Sequence, residues 1–386
     1  MKEKFLRELA DIQTGPFGSQ LHKEDYVADG TPIVTVEHLG NKMFSEQNLP
    51  RVSNTDKNRL KKYVLKQGDI VFSRVGSVDR CSYVDQKHDG WMFSGRCLRV
   101  RPTSEIDSEY LYYYFCLEET KQFVRNIAVG ATMPSINTKL LGEVVVTFPE
   151  LEQQKRISGI LSAIDSKIEV NQKINDNFEQ QAAALFSSLY NRSNTEVRYT
   201  DLIQILGGGT PKTGETAYWN GNIAFFTPKD VGTPYTFITE KTITEEGLSH
   251  CNSRLYPVNT VFVTARGTVG KVGLSGVPMA MNQSCYALVG KETHQLLVYF
   301  YTLKVVDKLK HKASGAVFDA ITTRDFESEQ IMKLSDDDAR AFLCVAEPMF
   351  QDILNNSIEN LRLSTLRDFL LPKLMSGEID VSNIQF

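Results

Sequence analysis

The chain has 386 residues, 41% of them hydrophobic, and a formal net charge of −4. This length predicts two or three domains with apolar cores, and the lack of an apolar run of about 18 residues argues against a membrane span. Because the N-terminus also lacks the apolar stretch of a signal peptide, we expect a cytoplasmic protein. The six cysteines include no Cys-x-x-Cys pair, so neither a metal site nor a disulfide framework is predicted.

The first predicted module covers residues 1–148. Short β-branched and aromatic runs bounded by Gly, Asn or Pro, such as Ile70–Ser73 and Val144–Phe148, predict strands. Tyr110–Leu117 is apolar nearly all round, which indicates a buried helix. We therefore expect a module that mixes helices and strands.

A long spacer helix is predicted over residues 149–190. Its apolar positions alternate in steps of four and three, the spacing of a coiled-coil seam, and polar Asn171 and Asn175 fall on the same line. Such a helix would span roughly 50 Å between Ile157 and Leu189. The alternative is a long amphipathic helix packed on its own domain. The seam residues named here are Ile157, Leu161, Ile164, Ile168, Asn171, Phe178 and Leu185.

The second predicted module covers residues 191–335. A short polar stretch, Asn191–Thr195, indicates the hinge that precedes it. Ile223–Phe226 and Thr260–Thr264 predict strands, and Leu296–Leu303 predicts a second buried helix. Residues 336–386 are predicted to form a second long spacer helix, stopping around Pro372, and a C-terminal tail. Its seam is expected at Leu354, Ile358 and Leu361, continuing to Leu366 and Phe369.

The two halves of the chain repeat one another after about 190 residues. Four pairs of segments match in the same order: Leu9–Gly15 with Leu202–Gly208, Gly68–Val78 with Asn259–Val269, Gly130–Ile136 with Gly315–Ile321, and Asn171 and Ile174 with Asn355 and Ile358. An internal repeat of this kind predicts two equivalent structural units. We expect an α+β fold in which two modules are separated by a pair of long antiparallel coiled-coil helices, related by a pseudo-twofold axis.

The sequence offers little catalytic chemistry. It has no phosphate-binding loop, and the six histidines are scattered without metal-ligand spacing. The acidic pairs Glu118-Glu119 and Glu245-Glu246 more often solvate a surface than perform acid–base work. We therefore interpret the chain as a binding protein and not as an enzyme.

Two basic segments suggest what it binds. Residues 51–101 carry twelve Lys or Arg against five Asp, and residues 253–312 carry eight against two acids. Arg, Gln and Asn match base edges, whereas Lys, Ser and Thr suit phosphates. The DNA-binding candidates lie in turns at strand ends: Ser19, Gln20, Lys23, Arg74, Ser77 and Arg80 in the first module, and Thr210, Lys212, Thr213, Arg266, Thr268, Lys271, Asn282 and Gln283 in the second. Equally, Arg74 and Arg266 could hold the strand–loop junction together inside each fold.

Several motifs resemble one known family. Leu151–Ile157 and Ile164–Ile168 in the first long helix, Leu371–Ile379 near the C-terminus, and the segments Gly68–Arg74 and Gly208–Lys212 are similar to the DNA specificity subunit of type I restriction–modification systems. The resemblance covers essentially the whole chain. The second helix departs from the first because it opens with Leu334–Arg340, which differs from Pro149–Lys155.

This resemblance implies a mechanism. Each module would read one half of a bipartite site in double-stranded DNA, and the helices would fix the spacer between the halves. Two methyltransferase subunits carrying S-adenosylmethionine would dock on the helices and flip an adenine for N6 methylation. Restriction and translocase subunits that use ATP and Mg²⁺ would join them. The resemblance implies no cofactor in this chain.

Two other functional classes compete with DNA reading. A coiled-coil scaffold joining protein partners would bind them without the steep salt dependence that DNA binding shows. A stand-alone enzyme would need a pocket of convergent titratable groups, which the sequence does not indicate.

Overall fold

A computed structural model describes residues 1–18, 20–312 and 320–382. It mixes helices and strands and contains a repeated domain, which confirms the prediction of an α+β fold. The chain divides into two compact units. One comprises Met1–Ile168 together with Arg362–Phe386, and the other comprises Glu169–Leu361.

The first unit contains short strands and short helices that precede a long helix. The strands are β1 (Lys2–Phe5), β2 (Ala10–Thr14), β3 (Tyr26–Val27), β4 (Thr31–Val34), β5 (Arg51–Val52), β6 (Ile70–Ser73), β7 (Cys81–Tyr83), β8 (Met92–Phe93), β9 (Cys97–Pro102) and β10 (Val145–Phe148). The helices are α1 (Leu6–Leu9), α2 (Asn54–Arg59), α3 (Ser108–Cys116), α4 (Glu118–Ile127), α5 (Thr138–Gly142) and α6 (Leu151–Arg192), the last of which continues into the second unit.

The main sheet of the first unit has the order β2-β9-β6-β7 and is antiparallel. A smaller sheet, β3-β5-β4-β8, lies beside it, and β1 pairs with β10 in a two-stranded ribbon. Successive side chains of β6 enter different cores: Ile70 and Phe72 pack with α3, whereas Val71 packs with the smaller sheet. Burial on both faces explains why this strand is an uninterrupted apolar run.

The second unit repeats this plan. Its strands are β11 (Thr195–Arg198), β12 (Ile203–Gly207), β13 (Trp219–Phe226), β14 (Tyr235–Thr236), β15 (Lys241–Ile243), β16 (Val261–Thr264), β17 (Val272–Ser275), β18 (Met279–Met281), β19 (Cys285–Gly290) and β20 (Gln330–Lys333). Its helices are α7 (Tyr199–Leu202), α8 (Glu245–Ser249), α9 (Gln295–Lys312), α10 (Thr323–Ser328) and α11 (Asp336–Ser376), the last of which returns to the first unit.

The sheets of the second unit follow the same topology as those of the first. The order β12-β19-β16-β17 matches β2-β9-β6-β7, with β14 added at the edge, and β11 pairs with β20 as β1 pairs with β10. The strand β16 also faces two cores, because Val261 and Val263 pack with α9 while Phe262 packs on the opposite side. The predicted buried helices are confirmed as α3 and α9, and their burial is explained by this packing.

Each long helix begins directly after a two-stranded ribbon and pairs antiparallel with the other. In the first unit, Nη1 of Arg367 lies 2.8 Å from Oδ1 of Asp165, and Tyr113 on α3 donates to Oδ2 of the same carboxylate over 2.6 Å. Lys42 donates in turn to the Tyr113 hydroxyl over 3.0 Å. Burial and the Asp165 charge raise the pKa of Tyr113, so its hydroxyl stays a proton donor.

In the second unit, the two helices meet through an amide layer made of Asn171, Asn175, Asn356 and Asn360. Nδ2 of Asn171 donates to Oδ1 of Asn360 over 2.9 Å, and Nδ2 of Asn356 donates to Oδ1 of Asn175 over 2.9 Å. Because the residue numbers rise on one helix and fall on the other, the pairing is antiparallel. With an offset of 185 residues between the repeats, the two hydrogen-bonded pairs become equivalent to one another.

The predicted seam of α6 lies on its packed side, since every named position from Ile157 to Leu189 is buried or half-buried. On α11, Leu354 is buried and Ile358 and Leu361 are half-buried. The extension of that seam to Leu366 and Phe369 is wrong, because both side chains are exposed. The 185-residue offset instead aligns the α6 seam with a line of buried or half-buried positions on α11: Phe342, Ala346, Met349, Ile353, Asn356, Asn360, Leu363, Arg367, Leu370 and Leu374.

The expected stop around Pro372 is also wrong, because α11 continues to Ser376. A proline inside a helix removes one backbone hydrogen bond. Here the residues after Pro372 keep their place because Leu374 and Met375 are buried in the core of the first unit. The segment Gly315–Ile321, which the sequence matched to Gly130–Ile136, lies outside the described residues except for Ala320 and Ile321.

Phe186 provides a test of the packing between α6 and α9. Its ring is 1% exposed and lies 5.1 Å from Phe300 and 5.5 Å from Phe342. We expect Phe186→Ala to lower the free energy of unfolding by about 3–5 kcal/mol, because the change leaves a cavity in the aromatic cluster. Phe369→Ala removes the same atoms from a ring that is 59% exposed and should change it by less than about 0.5 kcal/mol. Denaturant unfolding measures both, and equal losses would contradict the packing.

Candidate nucleic-acid interface

In the first unit, four loops meet around Arg74, which directly follows β6. Its backbone N–H donates to the carbonyl of Arg96 over 2.8 Å, and its Nη1 donates to the carbonyl of Gly95 over 3.1 Å. Its guanidinium carbon lies 5.3 Å from the centre of the Phe17 ring. The fourth loop joins through Gly76, whose N–H donates to the carbonyl of Pro134 over 2.8 Å. We call this group of loops the first loop cluster.

Glycines allow these loops to approach so closely. A Cβ on Gly15 would collide with the Ser94 carbonyl, and one on Gly95 would collide with the Pro16 carbonyl. Gly76 has φ of +75°, in the left-handed region that favours glycine. The backbone therefore fixes the positions from which the side chains of the cluster project.

The sequence candidates of the first unit differ in how free their side chains are. Ser77 and Arg80 are exposed, whereas Arg74 is half-buried. Gln20 accepts a hydrogen bond from the Tyr63 hydroxyl over 2.6 Å, so it also helps to hold its loop. Ser19 and the side chain of Lys23 lie outside what the structure describes.

In the second unit, an equivalent second loop cluster lies at the ends of β12, β16 and β18. Thr210 donates a hydrogen bond to Oε1 of Gln283, and the N–H of Ala265 donates to the Ser284 carbonyl over 2.8 Å. A Cβ on Gly208 would collide with the Asn282 carbonyl, as at Gly15 in the first unit. The same backbone arrangement thus recurs with different side chains.

Most candidates of the second unit point into solvent. The side chains of Lys212, Thr213, Arg266, Thr268, Lys271 and Gln283 are exposed, and those of Thr210 and Asn282 are half-buried. Thr268 donates to the Pro228 carbonyl over 3.0 Å, and Oδ1 of Asn282 accepts from the N–H of Ser284 over 3.0 Å. The cluster therefore combines exposed cations with amides held by short-range hydrogen bonds.

The sequence repeat paired Arg74 with Arg266, but these two arginines do not occupy equivalent positions in the structure. Val75 bridges to Ser135 in the first unit as Arg266 bridges to Ala320 in the second, so Arg266 corresponds to Val75 and Arg74 corresponds to Ala265. Arg74 contributes to the loop junction through Gly95 and Phe17. A guanidinium carries five N–H donors, so this structural role leaves Arg74 able to bind a further acceptor.

Sequence reasoning missed Arg96, Phe17 and Lys310. Arg96 is exposed in the turn Ser94–Cys97, which is the counterpart of Asn282–Cys285. Both turns end in a cysteine, Cys97 or Cys285, and this match in the sequence could have pointed to Arg96. Lys310 belongs to α9, but its side chain lies beside Gly270 of the second loop cluster. No sequence spacing connects a helix residue with that turn.

The cysteines beneath the two clusters are structural. Burial raises the pKa of the Cys97 thiol to about 12 and that of the Cys285 thiol to about 12. A protonated, buried thiol is a poor nucleophile and metal ligand. Within residues 1–18, 20–312 and 320–382, no group of three His, Cys, Asp or Glu side chains could hold a metal ion. The same ranges contain no helix long and apolar enough to cross a membrane.

The sequence of this chain is similar to those of one family of known proteins. A family model described as "Type I restriction modification DNA specificity domain" matches residues 1–180 and 191–333. The type I restriction enzyme HindI specificity subunit of Haemophilus influenzae is 24% identical, over 82% of this chain and 88% of its own. The MjaIX specificity subunit of Methanocaldococcus jannaschii is 24% identical, over 74% and 72%.

A solved structure has the same fold. The S subunit of a type I restriction–modification system from M. genitalium aligns with a TM-score of 0.61 at 16% sequence identity, over 97% of this chain and 95% of that one. The fold is thus shared over nearly the full length of both chains.

Two glycines of one loop test the geometry of the first loop cluster. Gly15→Ala should lower the free energy of unfolding by about 1–3 kcal/mol, because the added Cβ forces apart two packed backbones. Gly18→Ala is the matched control, since a Cβ there would meet no atom within 4 Å. Thermal unfolding and amide hydrogen exchange of residues 94–97 measure the effect. Faster exchange in both variants would show that the close approach is not what holds the loop.

Proposed function

Because this chain belongs to the family of type I restriction–modification DNA specificity subunits, we propose that its two loop clusters each read one half of a bipartite DNA site. Proteins of this family are non-catalytic components of their restriction–modification complex. The proposal assigns base recognition to the loops and the setting of the distance between half-sites to the long helices.

The recurrence of the loop cluster carries this proposal. Each repeat gathers turns from the ends of its main sheet and exposes cationic side chains on them: Arg80 and Arg96 in the first cluster, and Lys212, Arg266 and Lys271 in the second. Cations on such turns suit DNA phosphates, which position a protein on the duplex. The guanidinium of Arg74 and the amides of Asn282 and Gln283 are the groups that can pair with base edges in the major groove.

The two clusters differ in side chains although their backbones correspond. Arg74 in the first cluster is replaced by Ala265 in the second, and Phe17 is replaced by Thr210. A pair of readers with unlike side chains would recognise unlike half-sites. We therefore expect the complete site to be asymmetric.

The paired helices are suited to act as a ruler. The helix α6 has 42 residues, which corresponds to about 60 Å at 1.5 Å per residue. This length is of the order of two DNA turns of ~34–36 Å. Helices held in register by the amide layer have a defined length, so the spacer between the half-sites would be defined as well.

In this proposal the chemistry resides in partner subunits. Two methyltransferase subunits would bring S-adenosylmethionine and flip the target adenine, since a base inside a duplex is out of reach of an enzyme. Restriction subunits would bring ATP and Mg²⁺. The residues of this chain would bind and orient DNA beside those partners.

Methylation mapping tests the assignment. DNA from cells that express this chain with its neighbouring methyltransferase subunit should carry methylated adenine in a two-part motif with a fixed gap. Cells that lack only this chain should lose the motif, because the methyltransferase then has no reader. Single-molecule sequencing of adenine methylation measures both. If the motif persists in the deletion strain, DNA reading lies elsewhere and a scaffold function becomes the better explanation.

The ruler is tested by lengthening both helices. One extra heptad inserted after Ile168 and one after Leu361 keeps the seam in phase and interrupts neither compact unit. Seven residues add about 10 Å, so the preferred spacer should grow by roughly three base pairs at 3.4 Å each. The two half-site sequences should stay as they were. Changed half-sites with an unchanged gap would refute the ruler, and the unmodified chain provides the reference motif.

A further inference from the structure

We propose that Phe17 reads the methyl group of a thymine in the half-site bound by the first loop cluster. This inference rests on the proposed DNA-reading function and adds a specificity-determining residue to it. The observation behind it is an aromatic ring that remains 52% exposed although the backbone of Phe17 is hydrogen-bonded. Burying a phenylalanine side chain stabilises a fold by roughly 1.5–3 kcal/mol, so an exposed one forgoes that gain.

The backbone on both sides of Phe17 is fixed. Its carbonyl accepts hydrogen bonds from the N–H of Gln20 over 2.8 Å and of Leu21 over 3.1 Å, and the Leu21 side chain is buried. On the other side, Pro16 packs against Gly95. The ring is therefore presented to solvent from a position held by the contact at Pro16 and by the two hydrogen bonds to the Phe17 carbonyl.

The surroundings of Phe17 indicate which partner covers the ring. The guanidinium of Arg74 lies against it, and Arg80 and Arg96 are exposed in the same cluster. Two further apolar side chains, Met133 at 61% and Val129 at 56% exposure, project from the turn that is hydrogen-bonded to Gly76. Apolar groups framed by cations suit a polyanion that offers apolar groups of its own, and DNA is such a partner.

The geometry favours contact with a methyl group over insertion between bases. A side chain wedged into a base step is covered on both faces, but one face of Phe17 is already occupied by Arg74, 5.3 Å from the ring centre. The edge and the other face remain for a lateral contact. In the major groove the apolar feature of a base pair is the C5-methyl group of thymine.

The second loop cluster has no counterpart of the Phe17 ring and the arginine that covers it. Thr210 stands at the position of Phe17 and is hydrogen-bonded to Gln283, and Ala265 stands at the position of Arg74. A polar pair of this kind suits hydrogen-bonding groups. Sensitivity to the thymine methyl group is therefore expected only in the half-site bound by the first loop cluster, and it should depend on Phe17.

Replacing thymine with deoxyuridine tests the inference, because this change removes the methyl group and leaves the hydrogen-bonding edge intact. The complex of the full chain with its methyltransferase subunits would be titrated with duplexes in which each thymine of the mapped motif is replaced in turn. At one thymine, affinity should fall about fourfold, the factor that corresponds to ~0.8 kcal/mol for one buried CH₂ group. Phe17→Ala should bind both duplexes equally, and Phe17→Leu should keep part of the difference.

Phe5→Ala is the matched control. Phe5 is also an exposed ring covered by an arginine, Arg7 at 4.0 Å, but it belongs to the ribbon β1–β10 and not to a loop cluster. This variant should discriminate thymine from deoxyuridine as the unchanged chain does.

Three results would overturn the inference: no thymine sensitive to loss of its methyl group, a sensitivity that survives Phe17→Ala, or 2-aminopurine fluorescence showing that Phe17 unstacks a base step. In each of these the complex still binds a two-part motif. Failure to bind any two-part motif would instead overturn the proposed function, and the role of Phe17 with it.

Discussion

The pairing of α6 with α11 depends on the amide layer formed by Asn171, Asn175, Asn356 and Asn360. A buried amide that loses its partner costs about 1–3 kcal/mol, so sliding one helix along the other would place these groups against apolar side chains at a high cost. Within the described residues, Oδ1 of Asn171 is buried without a hydrogen-bond partner. A layer that leaves such a group is better suited to fixing register than to maximising stability.

Within each unit, the module packs against that unit's own part of the long helices, by physical means that differ between the units. In the first unit, the half-buried ion pair of Asp165 and Arg367 is hydrogen-bonded to buried Tyr113. In the second unit, Phe186 packs among aromatic rings that include Phe300 and Phe342. Removing one member of the ion pair leaves an unpaired charge, whereas removing a ring leaves a cavity. Both arrangements tie a module to its helix, and neither uses a residue of the loop clusters.

Much of the fold could be predicted from local pattern. The strands β6 and β16, the buried helices α3 and α9 and the seam of α6 follow from apolar spacing, because burial there depends on one element's own periodicity. On α11, two rows of residues at helical spacing lie next to each other. The row that is apolar throughout was predicted as the seam: Leu354, Ile358, Leu361, Leu366 and Phe369. The row that packs against α6 instead contains the polar residues Asn356, Asn360 and Arg367. Polar members hide a seam from hydrophobic periodicity, and their partners on α6 identify it only in the structure.

The candidate site was less accessible from the sequence. Turns after β6 and β16 were recognisable because glycine and cationic residues recur there, yet the sequence could not show that Phe17, Arg74, Gly95 and Pro134 come together. Those contacts join loops that lie far apart in the sequence; Phe17 and Pro134 are separated by more than a hundred residues. The one-residue shift between Arg74 and Arg266 likewise appears only when the bridges to Ser135 and Ala320 are compared.

This division of labour would let one fold carry the two readers of the proposed function. The strands β6 and β16 are buried on both faces, so their side chains are committed to packing. The residues proposed to bind DNA lie instead in the turns at the ends of these strands. Close glycine contacts fix the backbone of those turns without using the exposed side chains. An exposed side chain can therefore differ between the repeats, as Phe17 and Thr210 do. Half-buried Arg74 is replaced by Ala265, and the backbone hydrogen bond to the neighbouring turn is kept in both units. In the proposed function, recognition can diverge between the repeats because the packing of the cores and helices uses other residues.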